Sequence, residues 1–201
     1  PVTMFRSQLR HFLPGDHCEA ADKLPKMMPA AEFRKTEGGQ CMKAYNGLVE
    51  LTVGPLAGRA EVEQVKREAW KLPQTRCAFM GASGHSVKIL VAFTRPDNTL
   101  PLTRAEAEAF HAHAYIMAVK CYQPQLSFDI RPKEPFLEQY SRLSYDPDVL
   151  YRPDSVQFYL SQPMGMPDEM ALHTEPAVSG QRPLELSLIH ISEPTRRSYI
   201  S

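Results

Sequence analysis

This chain has no charge of one sign to spare, no long apolar run and no paired cysteine motif. Its 23 basic and 23 acidic residues cancel, so no global field draws it to nucleic acid or to an anionic membrane, and any such binding must come from a local patch. No apolar run reaches the length needed to cross a bilayer. The four cysteines (Cys18, Cys41, Cys77, Cys121) lie far apart without a C-x-x-C. That excludes a zinc ribbon and reads as reduced thiols, with a cytoplasmic location expected. Repeats and low-complexity tracts are missing too. What is there, 201 residues of which 43% are hydrophobic, suffices for one ordinary globular core.

The pattern then alternates. Leu48–Val53 reads as a strand stopped by Gly54-Pro55, and a helix follows from about Arg59 to Leu72, with Val62, Val65, Ala69 and Leu72 on one stripe. Arg76–Met80 and His85–Phe93 are two further strands around the Gly81–Gly84 turn. Thr103 and Glu106 form a capping box opening a helix to about Cys121. A strand over Leu126–Ile130 and a short helix near Phe136–Leu143 complete the series. The β-α-β-β-α-β order predicts an α+β fold, an RRM/ferredoxin-like antiparallel sheet with helices packed on one face.

The ends read differently. Residues 1–39 form an N-terminal extension, 40–163 the main domain, and 164–183 a linker in a second half rich in proline. The stretch from Leu186 to Arg196 resembles translated adapter sequence, so 184–201 is expected to be a non-native tail. The start at Pro1 suggests a fragment.

Chemistry concentrates in Phe79–Phe93. Gly81 and Gly84 let backbone approach a ligand, and Ser83, His85 and Lys88 add a hydroxyl, an imidazole and an ammonium. Strand parity puts His85 and Lys88 on opposite sides unless a bulge intervenes, which favours His85 with Ser83 at the ligand. Alternation places Glu50, Thr52 and Gly54 on one strand face. Asp129 shares a face with Ser127 on another strand, so Glu50 and Asp129 could hold one divalent cation if the strands are neighbours. His111 and His113 are two apart on a helix and make no metal pair. Arg142, ahead of the Asp146-Pro147 turn, could hold a phosphate.

Tyr45-Asn46-Gly47-Leu48-Val49, Ser83-Gly84-His85-Ser86-Val87-Lys88, Tyr122-Gln123-Pro124-Gln125-Leu126 and Arg142-Leu143-Ser144-Tyr145-Asp146-Pro147 occur in that order. Together they resemble the VirE N-terminal-type domain, a primase-polymerase-like branch of the archaeo-eukaryotic primase superfamily found in bacterial mobile-element replication proteins. The resemblance implies DNA and a nucleoside triphosphate as partners, Mg²⁺ or Mn²⁺ as cofactor in an active enzyme, and a helicase-type ATPase elsewhere in the full-length protein. It assigns nucleotide or phosphate contacts to Ser83, Gly84, His85, Lys88 and Arg142, and a catalytic metal to Asp129 with Glu50. The chain departs from the family where an acid pair is expected, since Thr52 and Gly54 stand there. The resemblance therefore implies phosphate binding with a degraded metal site. Two alternatives stand beside it: a non-catalytic single-strand-binding or docking module using Tyr122, Phe128 and Tyr151 with Arg152, and a full enzyme using Glu50 and Asp129.

Overall fold

A computed structural model describes residues 22–160, together with Val2, Thr3, Arg6 and Leu172–Glu175. The elements in chain order are β1 (Lys26–Met27), β2 (Ala31–Thr36), β3 (Gly39–Tyr45), β4 (Leu48–Val53), α1 (Arg59–Trp70), β5 (Thr75–Met80), β6 (Val87–Thr94), α2 (Arg104–Tyr122), β7 (Ser141–Arg142), β8 (Leu150–Tyr151), β9 (Gln157–Leu160) and β10 (Leu172–Glu175).

The centre is antiparallel. β6 pairs with β4 on one side and with β5 on the other. Ile130 forms a bridge to Val53 along the outer edge of β4. The order is therefore Ile130 segment, β4, β6, β5, which is the βαββαβ arrangement expected of an RRM/ferredoxin-like α+β fold. β8 extends the sheet beyond β5, and the end of β6 pairs in parallel with β9, which in turn carries β10.

Alternation explains which face is dry. Val49, Leu51 and Val53 of β4 stand opposite Val91, Ile89 and Val87 of β6, and all six are fully buried. Both helices pack on this face, α2 against β4 and α1 against β5 and β6. α1 contributes Val62, Val65 and Ala69, and α2 contributes Ala107, Phe110, Ala114 and Ala118 at helical spacing. Thr103 caps α2, its side chain accepting from the Glu106 N–H at 3.3 Å. The α2 stripe ends on Tyr122, whose buried hydroxyl bonds Thr75 Oγ1 at 2.8 Å.

Two expected elements take other forms. The strand over Leu126–Ile130 reduces to the Ile130 bridge, because Gln123–Gln125 prolong α2 as a 3-10 turn. The helix near Phe136–Leu143 is absent. There the chain makes a turn at Phe136–Gln139 and then β7, which pairs with β1. Leu137 is drawn into the core and Ser141 onto Glu50, so the segment instead crosses the sheet. β2 and β3 form a hairpin through a Glu37-Gly38 turn, rooted in the core by Ala31 and Tyr45. Residues 172–175 of the expected linker form β10; the rest of that stretch beyond 163, and the expected tail at 184–201, lie outside the described residues, as do His11, His17 and Cys18.

Candidate functional site

The sheet face away from the helices carries Glu50, Thr52 and Lys88, set by the Thr52–Lys88 and Glu50–Leu90 register. Segment 131–146 folds across this face and buries Glu50, which keeps 6% of its exposure. Three donors converge on Glu50 Oε1: Lys88 Nζ at 2.9 Å, Lys133 Nζ at 3.3 Å and Ser141 Oγ at 2.7 Å. Lys88 also donates to Thr52 Oγ1 at 2.9 Å. Burial alone would raise the Glu50 carboxyl, but the Lys88 and Lys133 charges and the Ser141 hydroxyl bring it below its ordinary value. Lys133 is pushed down, chiefly by burial, against the pull of Glu50.

Glu50 and Asp129 share a face but not a site. The Ile130–Val53 bridge and the Gly54 N–H to Asp129 O bond (3.1 Å) set Asp129 beside Gly54. Gly54 lies four residues along β4 from Glu50, roughly 13 Å of extended chain. Direct ligation of one cation needs oxygens within about 2.0–2.6 Å of it, so the expected Asp129–Glu50 pair does not assemble. Glu50 is already neutralised by ammonium groups, and Asp129 is exposed, with Gln123 Nε2 at 3.5 Å. Gly54 also has a backbone reason to lack an acid. Its φ is +135°, and a Cβ there would stand 2.9 Å from the His85 carbonyl oxygen.

The Gly81–His85 turn is present, with Gly84 at φ +83°. Its donors are largely engaged within it. Gly81 N–H bonds Ser86 O at 2.8 Å, Gly84 N–H bonds Gly81 O at 3.0 Å, and His85 N–H bonds Ser83 Oγ at 3.3 Å. From outside, the Arg6 guanidinium donates to Ala82 O at 3.0 Å and Gly81 O at 3.2 Å. His85 leans toward the Leu56 loop, its Nδ1 lying 2.9 Å from Leu56 O. β6 begins only at Val87, so His85 belongs to the turn while Lys88 faces Glu50. The two separate rather than converge.

Arg142 lies on β7 opposite Lys26, with Asp22 Oδ1 at 3.3 Å. It lines an open cleft of about 470 Å³ with Phe136, Glu138, Gln139 and Tyr140. Phe136 and Tyr140 are 57% and 47% exposed, and Lys26 Nζ sits 4.3 Å from the Tyr140 ring centre. Glu138 in the cleft pairs with Arg104, as Arg142 does with Asp22. The aromatics singled out by sequence fare differently. Tyr122 is buried, Phe128 is half-buried, and only Tyr151 is well exposed; Arg152 is stacked on Trp70 at 4.2 Å.

One acidic group has metal-like spacing among the described residues: Glu63, Asp146 and Asp148. The fully buried Lys66 sits among them, 3.2 Å from Glu63, 2.9 Å from Asp146 and 2.6 Å from the Asp148 carbonyl oxygen. An ammonium therefore serves as the cation there. Asp146 also accepts from the Met80 N–H at 2.8 Å, tying the Asp-Pro turn to the end of β5.

A sequence profile of the BT4734-like, N-terminal domain family matches residues 19–151. The chain belongs to this family. The matched span runs from ahead of β1 through β8, so it takes in the Glu50 cluster and the Phe136–Arg142 cleft. Comparison with curated proteins and with solved structures returned no match. Sequence reasoning missed Lys133, Ser141, Phe136 and Tyr140. Their role depends on how segment 131–146 crosses the sheet, and no local pattern signals that path.

Proposed function

We propose that this domain is a non-catalytic, metal-independent module for single-stranded nucleic acid, built on a primase-polymerase-like scaffold. The observation that carries the reading is the cleft in which Phe136 and Tyr140 stand exposed beside Arg142 and Lys26. Base faces stack on such rings whatever the sequence, while cations follow the phosphates. Lys26 covers part of Tyr140 and leaves the ring about half exposed for a base. Lys133, held by Glu50, adds a further cation on the same segment.

The metal-dependent alternatives fit less well. Two-metal phosphoryl transfer requires carboxylates converging on ions that bridge the reacting oxygens. Here Thr52 and Gly54 carry no carboxylate, Glu50 is held by two ammonium groups, and Asp129 lies apart. In this reading the Ser83–His85 turn is a structural corner clamped by Arg6, not the phosphate cradle expected of it. The test is binding of a labelled oligonucleotide by the wild type and by Tyr140→Ala and Arg142→Ala, with chelator present throughout. Selective weakening in both variants supports the reading, and unchanged binding removes it.

A further inference from the structure

Beside the Glu50 cluster lies a cavity of about 10 Å³, lined by Glu50, His111 and Lys133 with Pro29, Ala30 and Leu48. That is room for one water, provided polar groups stand ready to hold it. They do. Glu50 Oε1 accepts three donors, whereas Glu50 Oε2 is buried and has no partner among the described residues. A buried carboxylate oxygen left so has lost its hydration with no hydrogen bond in return.

The second wall of the cavity is His111, whose Nδ1 lies 3.2 Å from the Tyr45 hydroxyl. Both residues are buried. A buried phenol needs an acceptor for its proton, and His111 Nδ1 is the acceptor beside it. If Tyr45 donates to Nδ1, the imidazole proton resides on Nε2.

We propose that the cavity binds a single structural water that accepts from His111 Nε2–H and donates to Glu50 Oε2. The resulting chain runs from Tyr45 at the root of the β2–β3 hairpin, through His111 on α2 and the water, to Glu50 on β4, and ends on Lys88 and Lys133. The Tyr45 and His111 protons then have acceptors, and the orphan carboxylate oxygen is satisfied. The water thus joins the hairpin to the ammonium pair on the sheet. This inference stands apart from the nucleic-acid reading, since it concerns the unbound domain alone.

A high-resolution crystal structure tests it together with ¹⁵N NMR of the His111 ring near neutral pH. The expected result is one water peak within hydrogen-bond distance of Glu50 Oε2 and His111 Nε2, with the proton on Nε2. A dry cavity, or an imidazole protonated at Nδ1 and bare at Nε2, overturns it.

Discussion

Lys88 on β6 reaches diagonally across the sheet to Glu50 on β4 and closes to 2.9 Å, taking its direct neighbour Thr52 as a second acceptor. One strand thus supplies the carboxylate and the next supplies the cation that satisfies it. A face that could have gathered metal ions gathers ammonium groups instead.

The first prediction concerns that cluster. Glu50→Ala leaves Lys88 and Lys133 facing each other without a carboxylate in a half-dry site. Breaking a buried pair in this way costs about 3–5 kcal/mol. Lys88→Met should cost less, about 1.5–3 kcal/mol, because Lys133 and Ser141 still serve the carboxylate. Urea unfolding with unchanged m-values measures both.

A second prediction concerns acid. Burial, with help from the Lys133 charge, lowers His111 from 6.5 to about 4. The unfolded chain then binds more protons than the folded one between those values, so stability falls as pH drops from 6.5 toward 4. The full loss is on the order of 3 kcal/mol. Glu50 and Asp146, both held below their ordinary values, lose their stabilising contributions as pH falls through their folded-state pKa values. Stability curves at a series of pH values should show the histidine window flattened in His111→Gln, with the carboxylate limb retained.

Binding supplies a third prediction. Base stacking on an aromatic side chain is worth about 1–3 kcal/mol, so Tyr140→Ala and Phe136→Ala should each weaken a short single strand by roughly 5–150-fold. Arg142→Ala should also make the log–log salt slope shallower, by about 0.7 for each single-strand phosphate that the guanidinium neutralises. Fluorescence anisotropy across a salt series reads both effects.

Asp129 provides the contrast. It is exposed and lies away from the Glu50 cluster. Asp129→Ala should change stability by no more than about 0.5 kcal/mol and leave oligonucleotide binding as in the wild type. Thermal unfolding and the same anisotropy assay check this.

Periodicity revealed β4, α1, β6 and α2 because each buries one face against the same core, and burial writes itself into local spacing. Leu48–Val53 is recovered to the residue. The failures share a cause. Phe136–Leu143 has helix-compatible side chains, yet Leu137 is drawn into the core while Ser141 is drawn onto Glu50 from 91 residues away in the chain. For the site, parity could suggest that Glu50 and Asp129 share a face, but parity carries no information on how far along the strand two residues sit. The Lys88–Glu50–Lys133 grouping and the Phe136–Arg142 cleft arise from a crossing segment whose route is set by tertiary packing. Nothing in local composition marks it.

The most direct test of a metal-independent binding module is the affinity of the wild-type domain for a labelled single strand, measured in chelator and again in Mg²⁺ or Mn²⁺. The account predicts full binding in chelator and no strengthening by the divalent ion, with affinity lowered by Tyr140→Ala and Arg142→Ala and no nucleotide incorporated when triphosphates are added. Binding that appears only with the divalent ion, or primer extension abolished by Asp129→Ala, would contradict it.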